Sequence, residues 1–303
     1  MKKIIFFVLL YLIVQVLGAE NRPENKAAVS KELCLQTSSL PEAKLSFTEH
    51  FRFPFLQGES ALTKDNNIDL ALRAEISPVS LNGIAEAVWT PIAFFQLAAG
   101  GRIGSGWNIE LFGSEIYGIG INRPDAADKA ETSGSAFDGL LWKVQTGAVL
   151  QADLAAVYPG DWNHVIARSY HEINYKGYTR AKANESWYFE NDDGENCNGF
   201  CYYGNLLIGY QMPIFFNLAA LLAEADLYLY DNPDRRIRWT FSGILNFSFT
   251  RHIDLTLISQ FWTRKNYLES DWEDLYYRNR TIDNSSPLRL EFYRVAAALT
   301  YKF

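Results

Sequence analysis

The sequence predicts an all-β protein: a transmembrane, antiparallel, up-and-down β-barrel of roughly twelve strands, with about ten or fourteen also open. Three observations lead there. A short apolar leader precedes a polar stretch; apolar and polar residues then alternate with a period of two through repeated segments of roughly 11 residues; and the breaks between those segments come in short and long kinds.

Taken in order, Lys2 and Lys3 precede an apolar run over 4–17, followed by the small residues Gly18 and Ala19. This is the pattern of a signal peptide over 1–19, too short for a spanning helix and without a basic stop-transfer flank. Residues 20–43 are polar, contain Pro23 and Pro41 and hold no sustained period, so a mobile lead-in is expected there, with the barrel occupying 44–303. In 68–76, Ile68, Leu70, Leu72, Ala74 and Ile76 oppose Asp69, Arg73 and Glu75. Between 83 and 120 the count is ambiguous, because Thr90-Pro91-Ile92-Ala93-Phe94-Phe95 either joins two strands or interrupts one. In 142–154, Trp142, Val144, Ala148, Leu150, Ala152 and Leu154 oppose Lys143, Gln145, Gln151 and Asp153. In 221–229, Leu221, Ala223, Ala225, Leu227 and Leu229 oppose Glu224 and Asp226. The clearest case is 237–249, where Ile237, Trp239, Phe241, Leu245, Phe247 and Phe249 share one face and Arg238, Thr240, Ser242, Asn246 and Ser248 the other. Only a strand separates neighbours that way.

The breaks at 77–82, 158–162, 213–216 and 250–253 read as tight turns on the side of the termini; those at 122–136, 177–199, 231–235 and 267–287 read as outer loops. A soluble β-sandwich also alternates, but its strands are usually about half as long. Here the apolar faces are long and rich in Trp, Tyr and Phe, as expected where strands meet two membrane interfaces.

Composition removes other classes. After the leader no run of 18 uncharged apolar residues occurs, which excludes helical spans. A net charge of −7 offers no basic field for nucleic acid. The three cysteines allow at most one disulfide, and Cys197 with Cys201 in Cys-Asn-Gly-Phe-Cys is the obvious pair, with all three reduced as the alternative. No metal site and no cofactor is expected, since no His or second Cys pair stands at ligand spacing.

The sequence closes on Leu299-Thr300-Tyr301-Lys302-Phe303, alternating into a terminal aromatic residue. This resembles the last strand of bacterial outer-membrane β-barrel proteins, whose final aromatic residue helps the insertion machinery recognise them. The resemblance implies a place in the bacterial outer membrane, with outer-membrane lipid and the barrel-assembly machinery as partners and Phe303 as the insertion signal. It carries no function, because such barrels serve as pores, enzymes, adhesins and scaffolds.

Parity sends Arg52, Arg73, Glu75, Glu86, Arg102, Lys143, Asp153, Arg168, Glu172, Glu224, Asp226, Arg238, Arg264 and Arg294 toward the lumen. Both signs are present. They can line a narrow path that selects small polar solutes by size and charge, as in a porin, or pair across the lumen and plug it, leaving a surface scaffold or adhesin. Ser169 and His171 share the lipid-facing side of one strand and are a candidate nucleophile and base for a lipid hydrolase. Outer-membrane phospholipases use a Ser and a His two residues apart, but there His comes first, within His-x-Ser-Asn-Gly. Here the order is reversed and no Asn-Gly follows. The acidic segments 190–195 and 269–274 match no calcium-loop template and read as solvated loops.

Overall fold

Each long strand carries one face of bulky apolar side chains and one of polar or small ones, and the chain accommodates both by closing on itself. The computed structural model describes residues 27–40, 42–111, 113–190, 192, 194–230, 236–268 and 275–303. The leader at 1–19, the loop centre at 231–235 and the acidic segment 269–274 lie outside the described residues.

The strands are β1 (Ala28–Ser38), β2 (Ala43–Pro54), β3 (Asn67–Ser77), β4 (Ser80–Ile92), β5 (Phe95–Gly106), β6 (Ile109–Leu111), β7 (Ser114–Ile116), β8 (Ile119–Pro124), β9 (Ala130–Ser133), β10 (Leu141–Asp153), β11 (Val165–Tyr178), β12 (Ser186–Phe189), β13 (Gly199–Gln211), β14 (Phe216–Tyr228), β15 (Arg238–Ser248), β16 (Ile253–Lys265) and β17 (Leu288–Lys302). Twelve form a closed antiparallel barrel in the order β1-β2-β3-β4-β5-β10-β11-β13-β14-β15-β16-β17, and β17 pairs back onto β1 from Glu32 opposite Lys302 to Ser38 opposite Ala296. Closure leaves no edge, which matters in lipid, where an unpaired N–H or C=O has no water to bond.

The strand count agrees with the expectation, but its source does not. Residues 28–38 are not a lead-in: they are the barrel's first strand, and only eleven of the twelve strands begin after residue 42. Lys31 interrupts the outward row of Val29, Leu33 and Leu35, so the local period is weak. The ladders to β2 and β17, both of which would otherwise be open edges, supply what local pattern does not.

Adding β1 reverses the sides of the first hairpins. The turn within 77–82, expected beside the termini, stands at the opposite end, together with the connections 107–140, 179–198, 229–237 and 266–287. The turns at 158–162, 213–216 and 250–253 stand at the terminus end as expected. The ambiguous Thr90–Phe95 stretch is the turn of the β4–β5 hairpin, with a register shift between Trp89 and Ile92.

The outer face is a continuous apolar belt. Leu72, Val144, Leu150, Ile208, Leu221 and Leu245 are all exposed outward, Leu221 at 71%. Aromatic residues rim it at both ends. At the loop end Trp142 stacks on Tyr175 (centroids 5.1 Å apart), which meets Phe200 edge-on at 5.0 Å. At the terminus end Phe216 stacks on Phe247 at 5.1 Å and Tyr301 meets Phe303 at 4.9 Å. On β13, Phe200 and Tyr210 are ten residues apart. With strands tilted by about 40°, that separation spans roughly 25 Å of membrane, the height of a hydrocarbon band.

Candidate functional site

Inside the barrel the side chains fall into three tiers. Just inside a polar terminus-end rim, where Asn246 donates to Thr256 at 2.6 Å and Ser248 to Asp254 at 2.6 Å, is an apolar layer. Ala71, Val88, Val149, Leu207, Ala220, Ile244 and Ala298 come from seven strands, each four residues from its strand's terminus-end limit, and all are buried. Ile166, Leu218, Leu222, Ile258 and Ala296 pack with Leu207, Ala220 and Ile244, while Ala98, Tyr170 and Tyr203 join Ala71, Val88 and Val149. They make an apolar septum of two separate clusters, with Ala298 packed on Cys34 apart from both. Such a layer resists water, because wetting it offers few hydrogen bonds in return. Its polar margin lies on β2, where His50 Nδ1 is 3.0 Å from Asp69.

Above the septum sits a charged tier. Glu75 receives Arg102 at 2.5 Å, with Arg73 at 3.6 Å and Lys44 at 3.7 Å. Glu172 receives Lys143 at 2.6 Å, the Tyr170 hydroxyl at 2.6 Å and Asn174 at 2.8 Å. Arg294 donates to Gln260 at 2.7 Å and to Glu42, and Tyr203 donates to Glu224 at 2.7 Å. Of the parity set, Arg73, Glu75, Glu86, Arg102, Lys143, Arg168, Glu172, Glu224, Asp226 and Arg294 occupy inward positions on their strands, and Arg52 faces inward near the terminus end. Three stand at the rims. Asp153 caps the turn at Leu154–Ala156 and sits 2.6 Å from His164, while Arg238 and Arg264 lie at the loop-end mouth. Alternation alone cannot separate a rim from a lumen, since parity is the same in both.

The third tier comes from the loops, which fold inward. β12, every residue of it buried, pairs with β8, and β8 with β9, to make a small sheet tucked into the mouth. Trp187 and Phe189 pack there with Ile119, Ile121, Leu141 and Tyr178. Phe189 reaches the Arg102 guanidinium at 5.9 Å, and Lys176 lies 5.6 Å from the Trp187 ring while donating to Asn196 at 2.6 Å. Glu190, whose φ of 53° is left-handed, accepts from Lys44 at 3.1 Å and from the Ser80 hydroxyl. Lys44 and Lys176 share the parity of the set above. Glu190 opens the acidic segment 190–195 that reads as a solvated loop, but Glu190 and Glu195 are buried, because their connection folds into the mouth and meets Lys44 and Lys265.

Cys197 and Cys201 do not form the expected disulfide; all three cysteines are free and buried. Cys201 is fixed on the inner face of β13, whereas Cys197 Sγ lies 3.4 Å from both the Tyr277 hydroxyl and Arg278 Nη2. Close spacing in sequence was overruled by different tertiary anchors.

Ser169 and His171 do meet. Ser169 Oγ is 3.0 Å from His171 Nε2, and His171 Nδ1 is 2.7 Å from the Tyr202 hydroxyl, on the outer face. Their depth decides what this can do. His171 pairs with Gly204, four residues below Phe200 on β13. That places it roughly 10 Å inside the interfacial girdle, among acyl tails and away from ester carbonyls. The surrounding backbone N–H groups belong to the β10–β11–β13 ladders, which leaves no obvious oxyanion donor. The three side chains bond one another in lipid.

A closed barrel of twelve tilted strands, apolar outside, with two aromatic girdles, defines the outer-membrane class of β-barrel proteins. No protein-family model matches the chain, and no curated protein matches it. Among solved structures it is similar to one described as KdgM porin, with a TM-score of 0.39 and 9% identity over 90% of this chain and 99% of that one.

Proposed function

We propose that the protein resides in the outer membrane as a barrel closed at rest, whose working surface is its external, loop-bearing mouth. The septum carries this reading: inward apolar residues of seven strands are buried four residues from their strands' terminus-end limits, which narrows the polar lining there to residues such as His50, Asp69 and Arg168. The tucked sheet closes the mouth a second time. Phe303, exposed at the terminus end with its N–H on the Lys31 carbonyl, is the residue offered to the assembly machinery, and the apolar belt is the surface offered to lipid. The Ser169–His171–Tyr202 group plays a structural part and the barrel hydrolyses no lipid.

A second reading is a porin-like conduit for small polar solutes, favoured by the two-signed tier above the septum, where Arg73, Glu75, Arg102, Lys143 and Glu172 face inward. Under it the septum and the sheet move aside, and the charged tier selects solutes. Planar-bilayer recording separates the two. Purified barrel that inserts and stays silent supports the closed reading; steady ohmic steps from the unmodified protein refute it and establish the conduit.

A further inference from the structure

On the outer wall, Ser169, His171 and Tyr202 form a polar group within the apolar belt, and their hydrogens do not balance. Ser169 Oγ lies 3.0 Å from His171 Nε2, and the Tyr202 hydroxyl lies 2.7 Å from His171 Nδ1. Each of these two contacts uses one hydrogen, whereas two hydroxyls and an imidazole bring at least three. If Nδ1 carries the ring hydrogen, it donates to Tyr202, the Ser169 hydroxyl donates to Nε2, and the Tyr202 hydrogen is left over. If Nε2 carries it, the Ser169 hydrogen is left over instead. A second ring hydrogen only enlarges the surplus. Among the described residues neither hydroxyl makes another hydrogen bond. By contrast Thr146, outward on the neighbouring β10, returns its hydrogen to the Ala98 carbonyl at 3.3 Å.

A hydroxyl hydrogen without an acceptor is costly in hydrocarbon, and lipid supplies none at this depth: acyl tails carry no acceptor, and ester carbonyls and water lie roughly 10 Å away. A matching acceptor has to come from protein at the same level. A two-fold axis along the membrane normal brings identical residues together at identical depth, and besides its surplus hydrogen the group keeps spare oxygen lone pairs. Two copies of it therefore complement each other, each giving one hydrogen and accepting one. The wall also permits close approach. Across the ladders His171 is flanked by Ala148 on β10 and Gly204 on β13, so it stands above its neighbours, and small residues let two walls come together. Gly204 further lets Tyr202 lie along the wall, because a Cβ there would be 2.5 Å from the Tyr202 hydroxyl. We infer that the protein pairs with a second copy of itself through the outer face of β10, β11 and β13, with the surplus hydrogens bonded across the two-fold axis. The lumen takes no part, so the pairing applies to a closed barrel and to a conduit alike.

The test is energy transfer between folded full-length chains that carry a donor or an acceptor dye at the N-terminus, reconstituted together in phosphatidylcholine liposomes. Transfer should rise with the protein-to-lipid ratio to a plateau whose dependence on acceptor fraction is that of a dimer. Deleting one hydroxyl removes one hydrogen and one contact together, so a single substitution leaves the surplus in place. The triple variant Ser169→Ala, His171→Leu, Tyr202→Phe abolishes it and should weaken association by roughly tenfold or more, about 1.4 kcal/mol. Ala148→Trp keeps the group but blocks the approach, and should weaken association by as much, whereas Ala297→Trp on the outer face of β17 should not. All these substitutions present apolar side chains to lipid, and heat-modifiable electrophoretic migration verifies that each variant is folded. Transfer in the parent no greater than random proximity gives overturns the proposal, including the case in which this wall serves a different protein. So does association that the triple variant and Ala148→Trp both leave unchanged.

Discussion

Replacing Glu190 with Ala should release the tucked sheet from the barrel wall. The Glu190 side chain is almost wholly buried, 1% exposed, and its carboxylate accepts from Lys44 Nζ at 3.1 Å and from the Ser80 hydroxyl. In Glu190→Ala, Lys44 loses this partner and keeps the longer contact to Glu75 at 3.7 Å, a carboxylate already shared with Arg102 and Arg73. Removing one partner of a buried pair typically costs about 3–5 kcal/mol. The left-handed φ of 53° remains strained in Ala, so no backbone relief offsets the loss. Taking the lower end, about 3 kcal/mol, the opened sheet should become roughly 100-fold more populated. Amide hydrogen exchange reads this directly: the β12 amides of Trp187 and Phe189 should lose about two orders of magnitude of protection, while those of β14 and β15, on the far wall, should not change. Equal protection of β12 in the variant and the parent would refute the latch. So would a uniform loss across all strands, which would mean that Glu190 stabilises the whole barrel.

Thinning the septum with Leu222→Ala and Ile244→Ala removes two buried side chains of one cluster; each should cost about 2–5 kcal/mol in urea titrations of the folded barrel, and the double variant should show intermittent conductance in a bilayer where the parent is silent. Ser169→Ala should leave the background release of fatty acid from mixed micelles unchanged, because the dyad lies at the depth of acyl tails; a drop in that release would restore the hydrolase. Alkylation under denaturing conditions without reductant should label three thiols, and labelling of one alone would show a Cys197–Cys201 disulfide. Glu185, in the connection before β12, is pushed up by burial, but the Lys182 backbone N–H and the Arg123 side chain outweigh this and hold its carboxyl below the usual range. Its contribution is therefore present above the ordinary carboxylate pKa and lost as pH falls through the depressed one. Exchange of the 182–185 amides, corrected for intrinsic rates, should quicken over that interval, and Glu185→Gln should remove the pH dependence.

Much of the barrel was legible in the sequence because its cause is local. Side chains that alternate across a strand record which neighbour faces lipid, and the outward rows of 68–76, 142–154 and 237–249 were bulky enough to read without a structure. The parity that assigned Glu75, Arg102, Lys143 and Glu172 to the inside is the same fact seen from the other face. What local pattern could not supply was anything that depends on convergence. β1 has a broken outer row and becomes a strand because two edges need it. Leu207, Leu222, Ile244 and Ile258 stand at inward positions beside Asn205, Glu224, Ser242 and Gln260, where a lone apolar residue looks like noise in an alternating pattern. Closing the sheet brings those exceptions to one depth and makes them a septum. Glu190 acquires its role in the same way, from a loop with no period that folds inward and meets the Lys44 side chain, 146 residues away in sequence. The sequence by itself determined which side of each strand faces outward; which inward side chains meet one another was decided only in three dimensions, because the enclosed space belongs to the ring of strands and to no single one of them.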